Sequence, residues 1–481
     1  MKEKIAALDF KYKIRTYSFF FFLIISVLSP LSGTDWNSYL IGKEGIVNCF
    51  QNIELNNGRI ISSIIVNFFS YNKILFDIFF AIAMSSFIKN CNDLMGTVKN
   101  KYYYLLPFIG TLLVSVPLIS NNYISVYSTI TYTFPAILAF SYFCLLIKSE
   151  SKVTDIIKES IMAIFIMLSN INIAIAFILG NIIYLILSKN KKIFILLIEQ
   201  LICLIISISL LKEPMIYTNT NEIFSNIYNY IELIFSKNIL LIIIGAIPIN
   251  YYLAEKLKSS TYSRVLITLF DSFLVFSLMY NFFHYSPVNL NLVISKYNGV
   301  FATENWYYIF YFISYIILFA ISINHYIKNK RIKILFNSLM TISFITSILI
   351  LVSPLFKEES IILIVLTIIC ITSNLLKEIE CKMDPKILKI LLTLLVIYYI
   401  GTFGVIKYID IKRDEYIKEQ IEEKCTNIEI KASPFYLVGG YNPTDINQEQ
   451  VFKDFYKIPS ENTIEVKYFG VFEKIEKNVK N

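Results

Sequence analysis

The chain has 481 residues, of which 56% are hydrophobic and only 17% are charged. Soluble domains carry about 25% charged residues, so this composition excludes a water-soluble globular protein. The formal net charge of +8 is compatible with nucleic-acid binding, but most basic residues lie in short segments between apolar runs, where membrane topology explains them. We therefore predict a polytopic protein that lies in a lipid bilayer and binds no nucleic acid.

The cysteine and histidine content indicates no metal or redox chemistry. Seven cysteines are spread along the chain without a CxxC pair, and there are only two histidines. Neither a zinc site nor a disulfide framework is predicted from such spacing. We expect no cofactor and no bound metal, and a divalent cation has no support in the sequence.

Uncharged segments mark the first membrane spans. Residues 16–34 are uncharged and follow five basic residues, which predicts an uncleaved spanning helix with a cytoplasmic N-terminus. Residues 102–147 also lack charge and are long enough for two helices of about 20 residues, joined by the polar stretch 120–129. This segment predicts a hairpin whose tip faces outside.

The segment 160–188 decides the topology of everything after it. Its 29 uncharged residues are too many for one straight span and few for two. If it forms two short helices with a turn at Ser169, Asn170 and Asn172, nearly all basic loops fall on one side of the membrane. A single crossing abolishes that asymmetry, so the positive-inside rule favours two helices.

With this parity the sequence predicts an all-α polytopic membrane protein of about 13 transmembrane helices. The second apolar stretch is interrupted by Ser70, Asn72 and Lys73, which predicts a short interfacial helix followed by a span. The predicted spans are 17–32, 60–88, 103–120, 131–147, 159–170, 173–188, 193–211, 239–254, 265–283, 303–323, 334–353, 360–376 and 386–405.

The composition changes after residue 405 and predicts a second domain. Residues 406–481 are rich in charge, and we expect them to form a small soluble α/β domain on the outer face. Residues 410–424 have helical charge spacing, whereas 427–438 and 463–472 alternate as strands do. The predicted domains are thus a transmembrane domain, 1–405, and an extracytoplasmic domain, 406–481.

The first outside loop, residues 33–59, concentrates unusual residues. Its apolar residues recur at roughly helical spacing, which predicts a helix along the membrane interface, entered at Asp35 and left at Arg59. A carboxylate at this depth can act as a general base toward a hydroxyl acceptor. An arginine beside it can clamp a phosphate. The alternative interpretation is that Asp35 caps the interfacial helix and Arg59 anchors the second span.

Two groups of residues carry a resemblance to a known family. Gly33-Thr34-Asp35-Trp36 through Asn57-Gly58-Arg59, followed by residues 121–123 and 132–135, resembles the GT-C class of polytopic glycosyltransferases. Within that class the pattern is similar to the bacterial O-antigen glucosyltransferases (Gtr type II) and related uncharacterised families. The resemblance covers roughly residues 15–190.

The resemblance implies a fold, an activity and a site. It implies that Asp35 is the catalytic base, that the donor is a sugar linked to a polyprenyl phosphate, and that transfer inverts the sugar. Many members of the class carry two adjacent acids where this chain has Thr34-Asp35, which argues against a carboxylate pair that binds metal.

Other residues are weaker candidates for substrate binding. Glu44 and Glu54 lie in the same loop as Asp35, where a solvated surface role competes with acceptor binding. Both tryptophans map to the outer interface, which the aromatic belt explains as well as sugar stacking does. The possible substrate-binding residues are Trp36, Glu44, Glu54, Asn57, His284, Glu304 and Trp306.

Three acids within apolar stretches keep a transporter possible. Asp77, Glu199 and Asp271 lie at membrane depth, where an unpaired charge is costly. Asp77 has Lys73 one helical turn away as a structural partner. A transporter is expected to show repeats and broken helices in corresponding halves, and no repeat is visible.

The sequence thus favours a glycosyltransferase of the bacterial cytoplasmic membrane with its active site on the outer face. Its expected substrates are a polyprenyl-phosphate-linked sugar and an envelope glycan acceptor, such as O-antigen, teichoic acid or another surface polysaccharide. Asp35 is the expected base and Arg59 the expected ligand of the donor phosphate. The alternatives are a lipid-linked glycan flippase or other transporter, and a glycan polymerase. A glycan polymerase is expected to carry a large external loop that is rich in arginine. No loop between predicted spans is longer than the segment 212–238, which contains no arginine, and this counts against a polymerase.

Overall fold

A computed structural model describes most of the chain as α-helix. The described residues are 2–31, 33–51, 59–114, 124–148, 153–190, 192–210, 238–256, 265, 306–351, 361–381, 384–431 and 446–467. The predicted span 265–283 lies outside them, except for its first residue.

The described residues contain six helices that are long and apolar enough to cross a membrane. Apolar helices of this length support an integral membrane protein. Three shorter apolar helices accompany them, so the count of 13 spans stays a prediction. The six are Lys73–Met95, Val126–Lys148, Ile171–Ser188, Lys192–Ser209, Lys330–Leu349 and Pro385–Glu422, and the shorter three are Ile60–Tyr71, Leu240–Glu255 and Ile313–Tyr326.

The chain begins with a long helix and two short ones. Helix α1 is Lys2–Leu28, α2 is Gly33–Lys43 and α3 is Ile46–Gln51. Gly45 separates the short helices with φ of +113°, a conformation that a residue with a side chain rarely adopts. The single interfacial helix predicted for this loop is therefore two helices in the part that the structure describes.

The second apolar stretch is also divided, as predicted. Helix α4 is Ile60–Tyr71 and α5 is Lys73–Met95. Asn72 lies between them with φ of −103° and ψ of +61°, outside the helical region. The prediction of a break near Ser70, Asn72 and Lys73 is confirmed.

The described residues 101–114 and 124–148 contain a short helix and a longer one. A 3-10 helix, Lys101–Leu105, leads into α6, Leu106–Leu112. Helix α7 is Val126–Lys148, and its residues Thr129–Thr133 have π-helical geometry.

The two-helix interpretation of 160–188 matches the structure. Helix α8 is Val153–Met167 and α9 is Ile171–Ser188. Asn170 caps α9, because its side chain accepts hydrogen bonds from the backbone N–H groups of residues 172 and 173. Helix α10, Lys192–Ser209, follows.

The next described helices include the most buried element of the bundle. Helix α14, Ile362–Glu378, is buried on all sides from Ile362 to Leu376, which places it in the centre of the described helices. The others pack around it or beside it. Helices α11 to α14 are Ile239–Lys256, Trp306–Tyr326, Lys330–Leu351 and Ile362–Glu378.

One helix connects the apolar part of the chain with its charged tail. Helix α15, Pro385–Glu422, has 38 residues and corresponds to a length of about 57 Å. It runs through the predicted span 386–405, the predicted domain boundary and the predicted helix 410–424. After α15 come β1 (Asn427–Lys431), α16 (Ile446–Tyr456) and β2 (Thr463–Lys467), and we call the part of the chain after α15 the tail.

The two strands pair in parallel, with Asn427 opposite Thr463. A parallel pair needs a crossover connection, and α16 lies in that connection. Both strands fall within the segments predicted as strands, whose remaining residues lie outside the described part.

Contacts between α1 and α5 define two ends of the helix bundle. Helices α1 and α5 are antiparallel, since Ser26 contacts Asp77 at one end and Lys11 contacts Asp93 at the other, each at 2.5 Å. We call the first the Asp35 end, because α2 follows α1 there, and the second the Asp93 end.

The remaining contacts assign other segments to these ends. The turn between α8 and α9 lies at the Asp35 end, where Leu168 O accepts from Ile61 N at 3.1 Å. The segment before α15 lies at the Asp93 end, where Tyr103 donates to Cys381 O at 2.8 Å and Lys99 pairs with Glu380 at 2.5 Å. Lysine-rich segments thus gather at the Asp93 end, and the tail emerges at the Asp35 end.

Candidate functional site

Asp35 lies in the first turn of α2 and is only 1% exposed. Its carboxylate accepts hydrogen bonds from Tyr127 N at 2.9 Å, Val126 N at 3.3 Å and Ser125 Oγ at 3.4 Å. Val126 and Tyr127 are the first residues of α7, whose N–H groups lack partners within the helix, and Ser125 is the residue that caps it. A negative charge is also favoured there by the helix dipole. Asp35 therefore joins α2 to the start of α7.

Arg59 is half-buried at the start of α4 and faces two tyrosines of α7. Its guanidinium donates to the hydroxyl of Tyr127 and, at 2.8 Å, to that of Tyr132. The guanidinium carbon lies 5.6 Å and 5.4 Å from the centres of these two rings. Hydrogen bonds and cation–π attraction together hold the guanidinium against the two tyrosines.

The π-helical turn explains how both tyrosines reach one arginine. In a regular α-helix, residues five apart point about 140° away from each other. Here Phe134 N donates to Thr129 O, an i→i+5 bond that widens the turn between Tyr127 and Tyr132. The wider turn brings both hydroxyls to the side of Arg59.

Asp35 and Arg59 thus converge on Tyr127, which donates its backbone N–H to the acid and accepts from the arginine. The predicted base and the predicted phosphate ligand are thus linked through one tyrosine, the acid at its backbone N–H and the arginine at its hydroxyl. The pair can provide a base and a cation on either side of Tyr127. A reacting hydroxyl must approach Asp35 within hydrogen-bond distance before the carboxylate can take its proton.

A second cation, that of Lys73 at the start of α5, lies at the Asp35 end. Its ammonium donates to Ser26 O at 2.9 Å and forms an ion pair with Asp77. The structural role predicted for Asp77 was pairing with Lys73, and the structure contains this ion pair. Lys73 also brings a further positive charge to the Asp35 end.

The tail covers the residue beside the acid. Trp36 is 1% exposed, and its ring centre lies 5.0 Å from that of Phe452 and 5.7 Å from that of Phe455. Its indole ring packs in the core of the tail, so neither the aromatic belt nor sugar stacking describes its surroundings here.

A hydrogen bond between the tail and α15 supports this contact. Tyr456 donates to Asp414 at 2.6 Å. Burial raises the pKa of the Tyr456 phenol, and the hydrogen bond to Asp414 raises it further, so the phenol stays protonated. The tail is therefore fixed to both α2 and α15 above Asp35.

The other candidates from the sequence are spread more widely. Glu44 is exposed and accepts from Asn48 at 2.7 Å, as a solvated surface residue does. Trp306 begins α12. Glu54, Asn57, His284 and Glu304 lie outside the described residues.

The acids within apolar stretches have partners in the described part. Glu199 accepts from Ser160 at 2.6 Å, and Asp271 lies outside the described residues. The sequence analysis missed a further pair, Glu159 with Lys192 at 2.6 Å, whose side chains are 0% and 8% exposed. From the sequence, Lys192 at the start of α10 is expected to lie in a loop. Its burial beside Glu159 depends on how the helices pack.

Tyr127 and Lys73 were not predicted as members of the site. Tyr127 lies in the polar stretch 120–129, which was predicted to join two spans, whereas α7 already begins at Val126. Among the described residues, no group of three or more His, Cys, Asp or Glu side chains is placed to hold a metal ion.

No family model, no curated protein and no solved structure matches this chain.

Proposed function

We propose that the chain is an integral-membrane glycosyltransferase that moves a sugar from a polyprenyl phosphate to a cell-envelope glycan. The observation that carries the proposal is the convergence of Asp35 and Arg59 on the first turn of α7. An acid and a guanidinium in this relation suit a reaction that removes a proton and releases a phosphate.

In the proposed reaction, Asp35 takes the proton from a hydroxyl of the acceptor glycan. The hydroxyl oxygen forms a bond to the anomeric carbon as that carbon's bond to the donor phosphate breaks. The bonding electrons leave with the polyprenyl phosphate, and the configuration of the sugar inverts. Arg59 stabilises the phosphate charge, and Lys73 supports it from α5.

The proposed site lies on the outer face of a bacterial cytoplasmic membrane. The lysine-rich segments at the Asp93 end favour that end as the cytoplasmic one. The Asp35 end and the tail then face outside, where the lipid-linked sugar and the envelope glycan meet. In this proposal the tail, which buries Trp36, holds the acceptor near Asp35.

The test is the composition of the envelope glycan, measured by mass spectrometry in a strain that lacks the chain. The strain is complemented with the wild type, with Asp35→Asn, or with Asp9→Asn as a control. Asp9 is an exposed acid of α1, so its change alters charge without touching the site. Membrane levels of all three chains are matched by immunoblot.

We expect the wild type and Asp9→Asn to restore one sugar mass, and Asp35→Asn to lose it by about 100-fold or more. Full complementation by Asp35→Asn would show that Asp35 is only a link between α2 and α7. It would also remove the observation on which the proposal depends.

A lipid-linked glycan transporter is the second candidate, and the buried pair Glu159–Lys192 favours it. Buried charges in membrane domains commonly mark ion or substrate pathways. A transporter is expected to lose activity in Glu159→Gln and keep it in Asp35→Asn. The same complementation assay therefore separates the two proposals.

A further inference from the structure

The Asp93 end holds a cluster of charges that the proposed reaction does not use. Asp93 lies near the end of α5, and three lysines from three helices contact its carboxylate. Lys11 of α1 lies 2.5 Å from Oδ1, while Lys148 of α7 and Lys89 of α5 lie 2.8 Å and 2.9 Å from Oδ2. Lys11 and Lys148, which are distant in the chain, thus meet the Lys89–Asp93 pair of α5 at one point.

The cluster carries more positive than negative charge. Among the described residues, Asp93 is the carboxylate that these three ammonium groups contact. The ends of α5 and α7 add negative dipole charge, but each is worth only about half an elementary charge and acts within the last turn. Even both together leave the cluster positive, so a further anion would stabilise it.

The geometry leaves donors available for that anion. Each ammonium has three N–H donors, more than its contact with Asp93 uses. The side chains of Lys89 and Lys148 are 38% and 48% exposed, and both contact the same oxygen, so their ammonium groups are neighbours at the surface. A tetrahedral anion with several oxygens can bridge two such groups.

Exposed apolar side chains lie near the cluster on α1, next to the exposed ion pair Asp9–Lys13. Leu8 and Tyr12, which flank Lys11 on α1, are 49% and 64% exposed. Apolar side chains that stay exposed next to a basic cluster at the end of a membrane helix suit the acyl chains and headgroup of a lipid. Basic pockets between helices at the cytoplasmic face bind anionic headgroups in this way.

We propose that Lys11, Lys89 and Lys148 bind the phosphate of an anionic phospholipid at the Asp93 end. Asp93 holds the three lysines in position, and the exposed side of α1 receives the acyl chains. The lipid is retained with the folded protein and links α1, α5 and α7 from outside. This site does not depend on the proposed glycosyl transfer.

The test compares two double variants of the full chain in nanodiscs of equal phosphatidylglycerol and phosphatidylcholine. Lys89→Gln/Lys148→Gln removes two lysines and leaves Asp93 paired with Lys11. Lys13→Gln/Lys99→Gln removes the same charge from exposed lysines at the same end. Native mass spectrometry counts each lipid that stays bound, and thermal unfolding confirms that both variants fold.

We expect the wild type and the Lys13/Lys99 variant to retain phosphatidylglycerol in preference to phosphatidylcholine. The Lys89/Lys148 variant should lose that preference by about 10- to 30-fold. Equal losses in both variants would mean that only general surface charge acts, and no preference in the wild type would mean that no site exists. Either result overturns the proposal.

Inorganic phosphate, titrated against detergent-solubilised protein, distinguishes the source of the anion. If phosphate binds in a Lys89- and Lys148-dependent manner while phosphatidylglycerol is not retained, the ligand is a soluble phosphate and the lipid assignment is wrong. Retention of phosphatidylglycerol that phosphate displaces supports the lipid assignment.

Discussion

Asp35 and Asp93 are acids at opposite ends of the same helices, and their surroundings differ. Asp35 is 1% exposed and accepts hydrogen bonds from backbone N–H groups and a hydroxyl of α7. Asp93 is 16% exposed and is contacted by three lysine side chains. Backbone N–H groups and one hydroxyl hold Asp35, whereas lysine side chains hold Asp93.

The same residue type thus serves two roles in this protein. Backbone donors are fixed by the fold, so they orient Asp35 without a flexible partner beside it. Three lysines around Asp93 are redundant, and the loss of one leaves two. The Asp35 end is therefore expected to be sensitive to single substitutions, while the Asp93 end should tolerate the loss of a lysine.

The largest effect should come from Trp36→Ala, which empties the contact between α2 and the tail. Removing a fully buried tryptophan costs about 3 to 5 kcal/mol. We expect the tail to become sensitive to limited proteolysis between residues 423 and 467. Trp36→Phe keeps an aromatic ring and serves as the control. Equal protection of the alanine variant and the wild type would show that the tail docks without the indole ring.

Asp93→Asn should have the next largest effect, because it removes the carboxylate that three lysines share. Breaking a fully buried ion pair costs about 3 to 5 kcal/mol, and partial exposure of Asp93 reduces this to about 2 to 3 kcal/mol. A lower thermal midpoint in detergent measures it, with Asp9→Asn as the exposed control. An unchanged midpoint would contradict the role of Asp93 in linking three helices.

Tyr132→Phe should destabilise the Asp35 end by about 1 to 2 kcal/mol, since it deletes an acceptor of the Arg59 guanidinium and keeps the ring. Tyr127→Phe should act similarly. The control is Tyr17→Phe, whose ring is 59% exposed on α1. If all three variants unfold at the same temperature, the tyrosine hydroxyls do not hold Arg59.

Lys89→Gln should have the smallest effect, about 0 to 1 kcal/mol, because Lys11 and Lys148 still contact Asp93. The thermal midpoint in detergent should stay close to that of the wild type. A loss as large as that of Asp93→Asn would show that the lysines act as a unit rather than redundantly, and the comparison between the two ends would need revision.

Local sequence signals predicted the helix breaks well. Polar residues within apolar stretches gave the break at Asn72 and the turn capped by Asn170, because both depend on residues within a few positions. The prediction for residues 33–59 was less accurate, since helical spacing continues across Gly45 and only the backbone conformation there shows two helices.

The candidate site was predictable only in part. Asp35 and Arg59 stood out because charged residues are rare in such a chain. Tyr127 did not, and Tyr132 entered only as part of the motif 132–135 of the resemblance. The approach of both to Arg59 depends on a π-helical turn that spacing rules for α-helices do not anticipate. The GT-C resemblance and the activity that it implies stay predictions.

The pattern of residues was sufficient to predict a membrane protein and the helix breaks at Asn72 and before Asn170. These properties follow from hydrophobicity and local polarity, which act over short stretches of chain. The folded structure was needed to show that Asp35 meets the start of α7, that three lysines share Asp93, and that the tail buries Trp36. Each of these contacts joins residues far apart in the chain, and their geometry is set by how the helices pack.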